Sequence, residues 1–461
     1  MSTLNKNFQA FLAETRSDSS PTISRRTLLK GAAGTVLATA GMSLAACGTA
    51  GSATSSGASA SGTVTIWDRS GDLYQVFHAT IPSFNKKYPN IKVNHVAVDV
   101  DSKLPSTLIT GINVPDGAFY EDNNTPTLSD HYSDLTDLMQ PYVNQCVPFK
   151  IKVNTYNGRI KGIPFDLDPG LLYYRADILE QQNIDPNSIQ TYDDLITVAQ
   201  TLQNKLGPQV KPIHIEQDPG NSELWVNMFA NQQGQGIVDS AGNLQINSQP
   251  YLNALSWIQK VMQKGLGTHV TLFSSDHIAA WENGQELFIP YAIWAVYGLD
   301  LLIKKTRGKW RAMPLPAWTP GGNRGSVMGG SSFIIPAKAR NPHLAWLWYE
   351  HLMFSPEGYK AVFGPNKIYP QGINTLLPSY KPALAHQLIG NVDALGGQNL
   401  WQVAVSTVPQ ISNAWTYPSW YNSSVQYFGT NIQQMIEGKM TPQQVVTTTT
   451  QQIQSKLINR S

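Results

Sequence analysis

Two close pairs of carboxylates are the residues of this chain best equipped for acid–base work: Glu121 with Asp122, and Asp166 with Asp168. Held at the right separation, such a pair can cleave a glycosidic bond, one group donating a proton while the other attacks or activates water. Residues one or two apart on an extended chain do not by themselves face a single bond, and no other residue specifies a partner. The chain has no HExxH, CxxC pair, phosphate-binding loop or Gly-x-Ser-x-Gly elbow. Its scattered histidines lack metal-ligand spacing, so neither a metal nor a cofactor is expected. Cys146 reads as a buried, inert thiol before it reads as a nucleophile.

Binding chemistry is better represented. The chain holds twelve Trp and nineteen Tyr. Trp67, Trp225, Trp281, Trp294, Trp318, Trp401, Trp415 and Trp420 lie near Gly, Asn, Pro or Ser rather than inside apolar runs. A flat ring covers the C–H face of a sugar, and neighbouring amides and hydroxyls bond its hydroxyl groups. Any single Trp is more readily a core residue than a ligand contact; the excess is what points to a saccharide.

The N-terminal segment sets the compartment. Arg25 and Arg26 precede a short run rich in Gly, Ala and Thr, which ends at Leu44-Ala45-Ala46-Cys47. An arginine pair ahead of a moderately apolar stretch is the twin-arginine export address, and the run is too short for a comfortable membrane span. Cys47 is the expected lipid-attachment residue, so the protein should be extracytoplasmic and held to the cell membrane by lipid. Gly48 to Gly62 contains only Gly, Ala, Ser and Thr. It cannot bury apolar area and reads as a flexible tether, with the folded body starting near Thr63. Residues 1–46 carry five of the 33 basic and two of the 31 acidic residues, so the exported part has 28 against 29 and a formal net charge of −1. No basic cluster remains to grip a phosphate backbone, which argues against nucleic acid as a partner.

Positioning elements can be read from periodicity. Thr63–Trp67, Ile91–Val96 and Gly117–Tyr120 read as strands, with helices over 72–87 and 103–109 between them. Alternating strand and helix predicts a mostly parallel sheet covered on both faces. Further helices are expected over 134–139, 193–206, 250–264, 273–283, 342–353 and 443–458, with short strands at 310–316 and 333–335. Tyr192-Asp193-Asp194 places acidic groups where free N–H groups open a helix. About 400 residues should divide into two domains.

The ordered series of motifs resembles a known family. The lipobox, Val64-Thr65-Ile66-Trp67, Phe84-x-x-x-Tyr88-Pro89-x-Ile91-x-Val93, Tyr174-Arg175-Ala176-Asp177-Ile178-Leu179, Gly329-Gly330-Ser331-Ser332-Phe333-Ile334-Ile335-Pro336 and Ser355-Pro356-Glu357-Gly358 are similar to segments of solute-binding lipoproteins of bacterial carbohydrate ABC importers, the maltose-binding-protein-like group. The resemblance implies an α/β, two-lobed periplasmic-binding-protein-like fold, with mixed sheets flanked by helices and a cleft between lobes. Lobe one would take 63–167 and 326–366, and lobe two 168–325 and 367–461. The implied function is capture of an extracellular sugar or oligosaccharide, by a monomer that delivers it to the importer's membrane subunits. No catalysis is implied.

Carried onto this chain, the family layout points to Trp67, Asp68, Glu121, Asp122, Asp166, Tyr173, Trp225, Trp294, Gly329, Gly330 and Ser331 as ligand contacts, with Trp415, Tyr417 and Trp420 as a rim. Asp68 either accepts sugar hydroxyls or caps the helix near residue 72. Trp294 departs from the family pattern, since Ile293 and Ala295 stand where Gly or Pro is usual. Competing readings are a polyamine, glycerol-phosphate or peptide ligand, or a secreted glycoside hydrolase. A polyamine would require a concentrated acidic cleft, whereas near-neutral net charge favours a neutral polyol.

Overall fold

The computed structural model describes residues 60–459. The arginine pair, Cys47 and the tether as far as residue 59 lie outside the described residues. Ten strands build two sheets. They are β1 (Gly62–Asp68), β2 (Ile91–Ala97), β3 (Gly117–Glu121), β4 (Gly162–Pro164), β5 (Gly170–Arg175), β6 (Ile213–Glu216), β7 (Gly267–Val270), β8 (Phe288–Ala292), β9 (Trp310–Pro314) and β10 (Ser331–Ile334).

In β1, Val64, Ile66 and Asp68 are buried while the residues between them are more open, the period-two pattern of a strand. β1 pairs in parallel with β2 and β3, as the alternation of strands and helices predicts. The sheet order is β2-β1-β3-β10-β4, with β10 antiparallel to both neighbours. A strand from position 331 therefore completes the sheet begun at 62. The second sheet runs β7-β6-β8-β5-β9, with β5 antiparallel to β8 and β9. Helices cover both sheets, giving a two-lobed α/β molecule.

Beneath the first sheet, Val100, Leu104 and Leu108 of helix Val100–Thr110 pack with Ala118, Tyr120, Leu128, Tyr132 and Ile334, and Trp67 leans on this cluster. Phe77, Phe119, Phe165 and Phe333 form a separate knot of edge-to-face and tilted rings. The continuous helix expected over 72–87 is corrected to two, Asp72–Ala79 and Ile81–Lys87. Pro82 has no N–H to continue the ladder, and Thr80 Oγ1 closes the first helix by donating to the Phe77 carbonyl at 2.6 Å. The acidic start at 192–194 forms a capping box: Thr191 accepts from the Asp194 N–H, and Asp194 accepts from the Thr191 N–H. Among the described residues, no helix is long and apolar enough to cross a membrane.

Two segments run between the sheets, and a third, a short strand, pairs with one of them. Asp166–Leu167 links β4 to β5, residues 326–330 lead into β10, and Leu377–Pro378 pairs antiparallel with Asp166–Leu167. The Met328 N–H donates to the Asp168 carbonyl and the Gly170 N–H to the Ser326 carbonyl, so the two crossings are also hydrogen-bonded side by side.

Candidate ligand-binding site

The crossings gather five of the expected residues. Ser331 N–H donates to Asp166 Oδ1 at 2.5 Å, and the Asp122 N–H donates to the Gly330 carbonyl at 3.0 Å. Gly329 and Gly330 have φ of +101° and +125°, a region side chains rarely adopt. A Cβ on Gly329 would come within 2.9 Å of Asp168 Oδ2, and one on Gly330 within 3.0 Å of Asp122 Oδ2. The glycines therefore let two carboxylates approach the backbone.

A lysine that sequence reasoning missed organises this floor. Lys150, fully buried on helix Pro148–Val153, is paired with Asp122 and donates to the Ser331 carbonyl at 2.8 Å. Ser332 Oγ donates to the other Asp122 oxygen at 2.6 Å. Glu121 is held by Arg69 at 2.7 Å, a second missed partner. The signal for Lys150 was its place between Phe149 and Ile151, an apolar setting for a cation. Burial raises the Asp122 carboxyl, against the pull of Lys150. It pushes Asp166 up to about 7 and lifts Asp168 well above the carboxylate range, with the charge of Asp166 adding to the rise.

Aromatic residues close the opposite wall. Trp415 and Tyr417 meet edge to face at 5.4 Å and, with Leu224, Asn227, Val327 and Gly329, line a crevice of about 10 Å³. Behind them Glu223 accepts from Tyr421 Oη at 2.8 Å and Asn227 Nδ2 at 2.5 Å, and burial raises its carboxyl to about 7. Trp294 is half-buried, donates its indole N–H to the Met328 carbonyl at 3.4 Å, and would lie 3.9 Å from a Cβ on Gly329. Trp420 is half-buried next to Ser419, whose carbonyl accepts from Thr127 Oγ1 at 2.8 Å. Lys152 Nζ also reaches across, to the Asn413 carbonyl at 2.6 Å.

Three expected contacts need correction. Tyr173 is fully buried in β5 and donates its hydroxyl to the Ile293 carbonyl at 2.7 Å. Trp225 is fully buried too, with its indole N–H on the Pro290 carbonyl at 2.6 Å. Rings with no open face, and with their polar atoms already bonded, serve the core of the second lobe. Asp68 faces His95 at 3.5 Å, is 1 % exposed, and makes no cap: helix Asp72–Ala79 has no side-chain cap bond at Gly71. Trp67 is half-buried against the apolar cluster already described.

The histidines form one close group that spacing did not reveal. His214, His277 and Glu286 bring their ligand atoms within 4.8 Å of one another, all buried. The Phe273 N–H donates to His277 Nδ1 at 3.1 Å, which leaves the proton on Nε2 to donate to Glu286 at 2.7 Å. Trp281 Nε1 donates to the same Glu286 oxygen. His277 is thus the neutral Nε2–H tautomer, and the three side chains form a buried hydrogen-bonded network.

Residues 67–360 match the profile of the bacterial extracellular solute-binding proteins. The chain belongs to that family. This solute-binding protein is 25% identical over 330 residues to the arabinooligosaccharide-binding protein of Bacillus subtilis strain 168, covering 67% of this chain and 73% of the relative. It is 24% identical over 353 residues to the lactose-binding protein of Rhizobium radiobacter, covering 74% and 80%. Among solved structures it matches the sugar-binding protein MalE of Xanthomonas citri with a TM-score of 0.72 at 20% identity, over 87% of this chain and 98% of that one. These likenesses carry the two-lobed fold. A family that binds solutes leaves its ligand intact, which sets aside the hydrolytic reading of the acid pairs.

Proposed function

We propose that this protein captures an extracellular saccharide between its lobes and delivers it to the membrane subunits of an ABC-type importer. The observation that carries the reading is the crevice lined by Trp415, Tyr417, Leu224, Asn227, Val327 and Gly329, with the carboxylates of Asp168 and Asp122 close against the Gly329–Gly330 backbone beside it. Rings cover the apolar face of a sugar while carboxylates and amides take its hydroxyls. The names of relatives that bind arabino-oligosaccharide and lactose support the same class. Glu121, Ser331, Trp294 and Trp420 complete the set of proposed contacts, and Trp67 borders it.

The lobes are taken as 63–167 with 326–366, and 168–325 with 367–461. Bonds from Tyr380 to Gln145 and from Lys381 to Asn144 favour a last boundary later than 366. Export by the arginine pair, lipid attachment at Cys47 and a monomeric state complete the proposal. A thermal-shift screen of neutral and charged oligosaccharides, with polyamines and peptides alongside, tests it. At a hundredfold excess over Kd a true ligand adds about 2.7 kcal/mol to stability, and micromolar affinity corresponds to about 8 kcal/mol. A screen in which polyamines or peptides stabilise the protein and no saccharide does would overturn the assignment.

A further inference from the structure

The charges of the crevice do not balance. Lys150 is paired with Asp122, and Arg69 with Glu121. Asp166 and Asp168, two residues apart on the crossing, feel the charge of Lys150 that Asp122 already pairs with, and among the described residues neither forms an ion pair. Asp166 is 3 % exposed and accepts one backbone N–H. Asp168 is 9 % exposed, and no hydrogen bond to its carboxylate occurs among the described residues. Its Oδ2 lies against Gly329, which lines the crevice with Trp415 and Tyr417, and the Trp294 indole nitrogen approaches the same side of that glycine.

A sugar hydroxyl would bond one oxygen of Asp168 and leave it the neutral acid that burial favours. Burying a carboxylate without a counter-charge is costly, and an ammonium removes that cost. Resting on the saccharide reading above, we propose that the preferred ligand is an amino sugar, whose protonated amine sits against Asp168 and Asp166. Burial that lifts both carboxyls is the electrostatic counterpart of the same imbalance.

Calorimetric titration of residues 61–461 with matched pairs tests this. One arm holds mono- to tetrasaccharides of glucose and galactose, and the other their 2-amino-2-deoxy counterparts, with spermidine as an amine without a sugar. The expected result is an amino sugar bound roughly tenfold or more tightly than its hydroxyl twin, the scale of one charge-assisted contact, with the ratio collapsing toward one in Asp168→Asn. Equal or tighter binding of the neutral twin overturns the amine and leaves the saccharide reading standing. Binding of spermidine with no saccharide bound, or of no probe at all, counts against both readings.

Discussion

At the scale of residues, the site is a set of charges whose partners lie far apart in sequence. Asp122 and Lys150 are 28 positions apart, and folding alone makes them a pair. Lys150→Met should therefore leave a buried carboxylate unpaired and cost about 3–5 kcal/mol, whereas Lys150→Met with Asp122→Asn should recover most of that loss. Urea unfolding of the three proteins measures the difference. The pH dependence follows from directions of shift. Asp166 and Glu223, raised to about 7, and His214, raised to about 9 between Glu286 and Glu216, each contribute stability below their unfolded pKa and lose it as pH climbs through the folded one. Calorimetry without ligand should show the melting temperature falling from about pH 5 to pH 9, with Asp166→Asn flattening the part below pH 7; a flat or rising profile would contradict these assignments. Asp166 and Asp168 were visible in the sequence as a pair of acids. Their role was not, because overall charge near zero says nothing of how charge is distributed in a crevice.

Elements were legible where one face is buried and the other is not. Strands β1 and β2 alternate and are legible to within two residues, while β3, buried at its first four positions, is legible from its β-prone residues and its place after a helix. Strand β5 was not, since all six of its residues are buried and periodicity is silent there. Helix Tyr421–Ile436 also escaped: its Ser, Asn, Thr and Gln residues weaken the apolar stripe, although Phe428, Ile432 and Met435 keep helical spacing. End signals were more dependable, and Thr191 with Asp194 is the clearest. Thr191→Ala should cost about 1 kcal/mol by loss of the cap, read as a lower unfolding midpoint with unchanged slope. The glycine pair at 329–330 is an element-level constraint too. Gly330→Ala places a Cβ 3.0 Å from Asp122 Oδ2 at a positive φ, and should cost about 1–3 kcal/mol. Thermal unfolding of the variant beside a Gly321→Ala control, where φ is also positive but no atom lies within 4 Å, separates the contact from the backbone strain.

On the scale of the whole molecule, the return of the chain to its first sheet at β10 could be anticipated only through family resemblance, because strand order is not written in local periodicity. That return matters: it lays residues 326–331 beside 166–170 and so makes the boundary between the sheets a place where backbone, acids and rings converge. The bonds from Thr127 to Ser419 and from Lys152 to Asn413 fasten the walls on either side. Opening of this boundary to admit a ligand is a hinge motion, and a ligand with greater affinity for the closed arrangement shifts the population toward it. The most direct measurement is a crystal structure of residues 61–461 with the saccharide that scores best in the thermal screen. It should lie between the Gly329–Ser331 backbone and the Trp415–Tyr417 wall, with a polar group on Asp166 or Asp168. A saccharide bound at an outer surface, with that gap filled by protein alone, would contradict capture between the lobes.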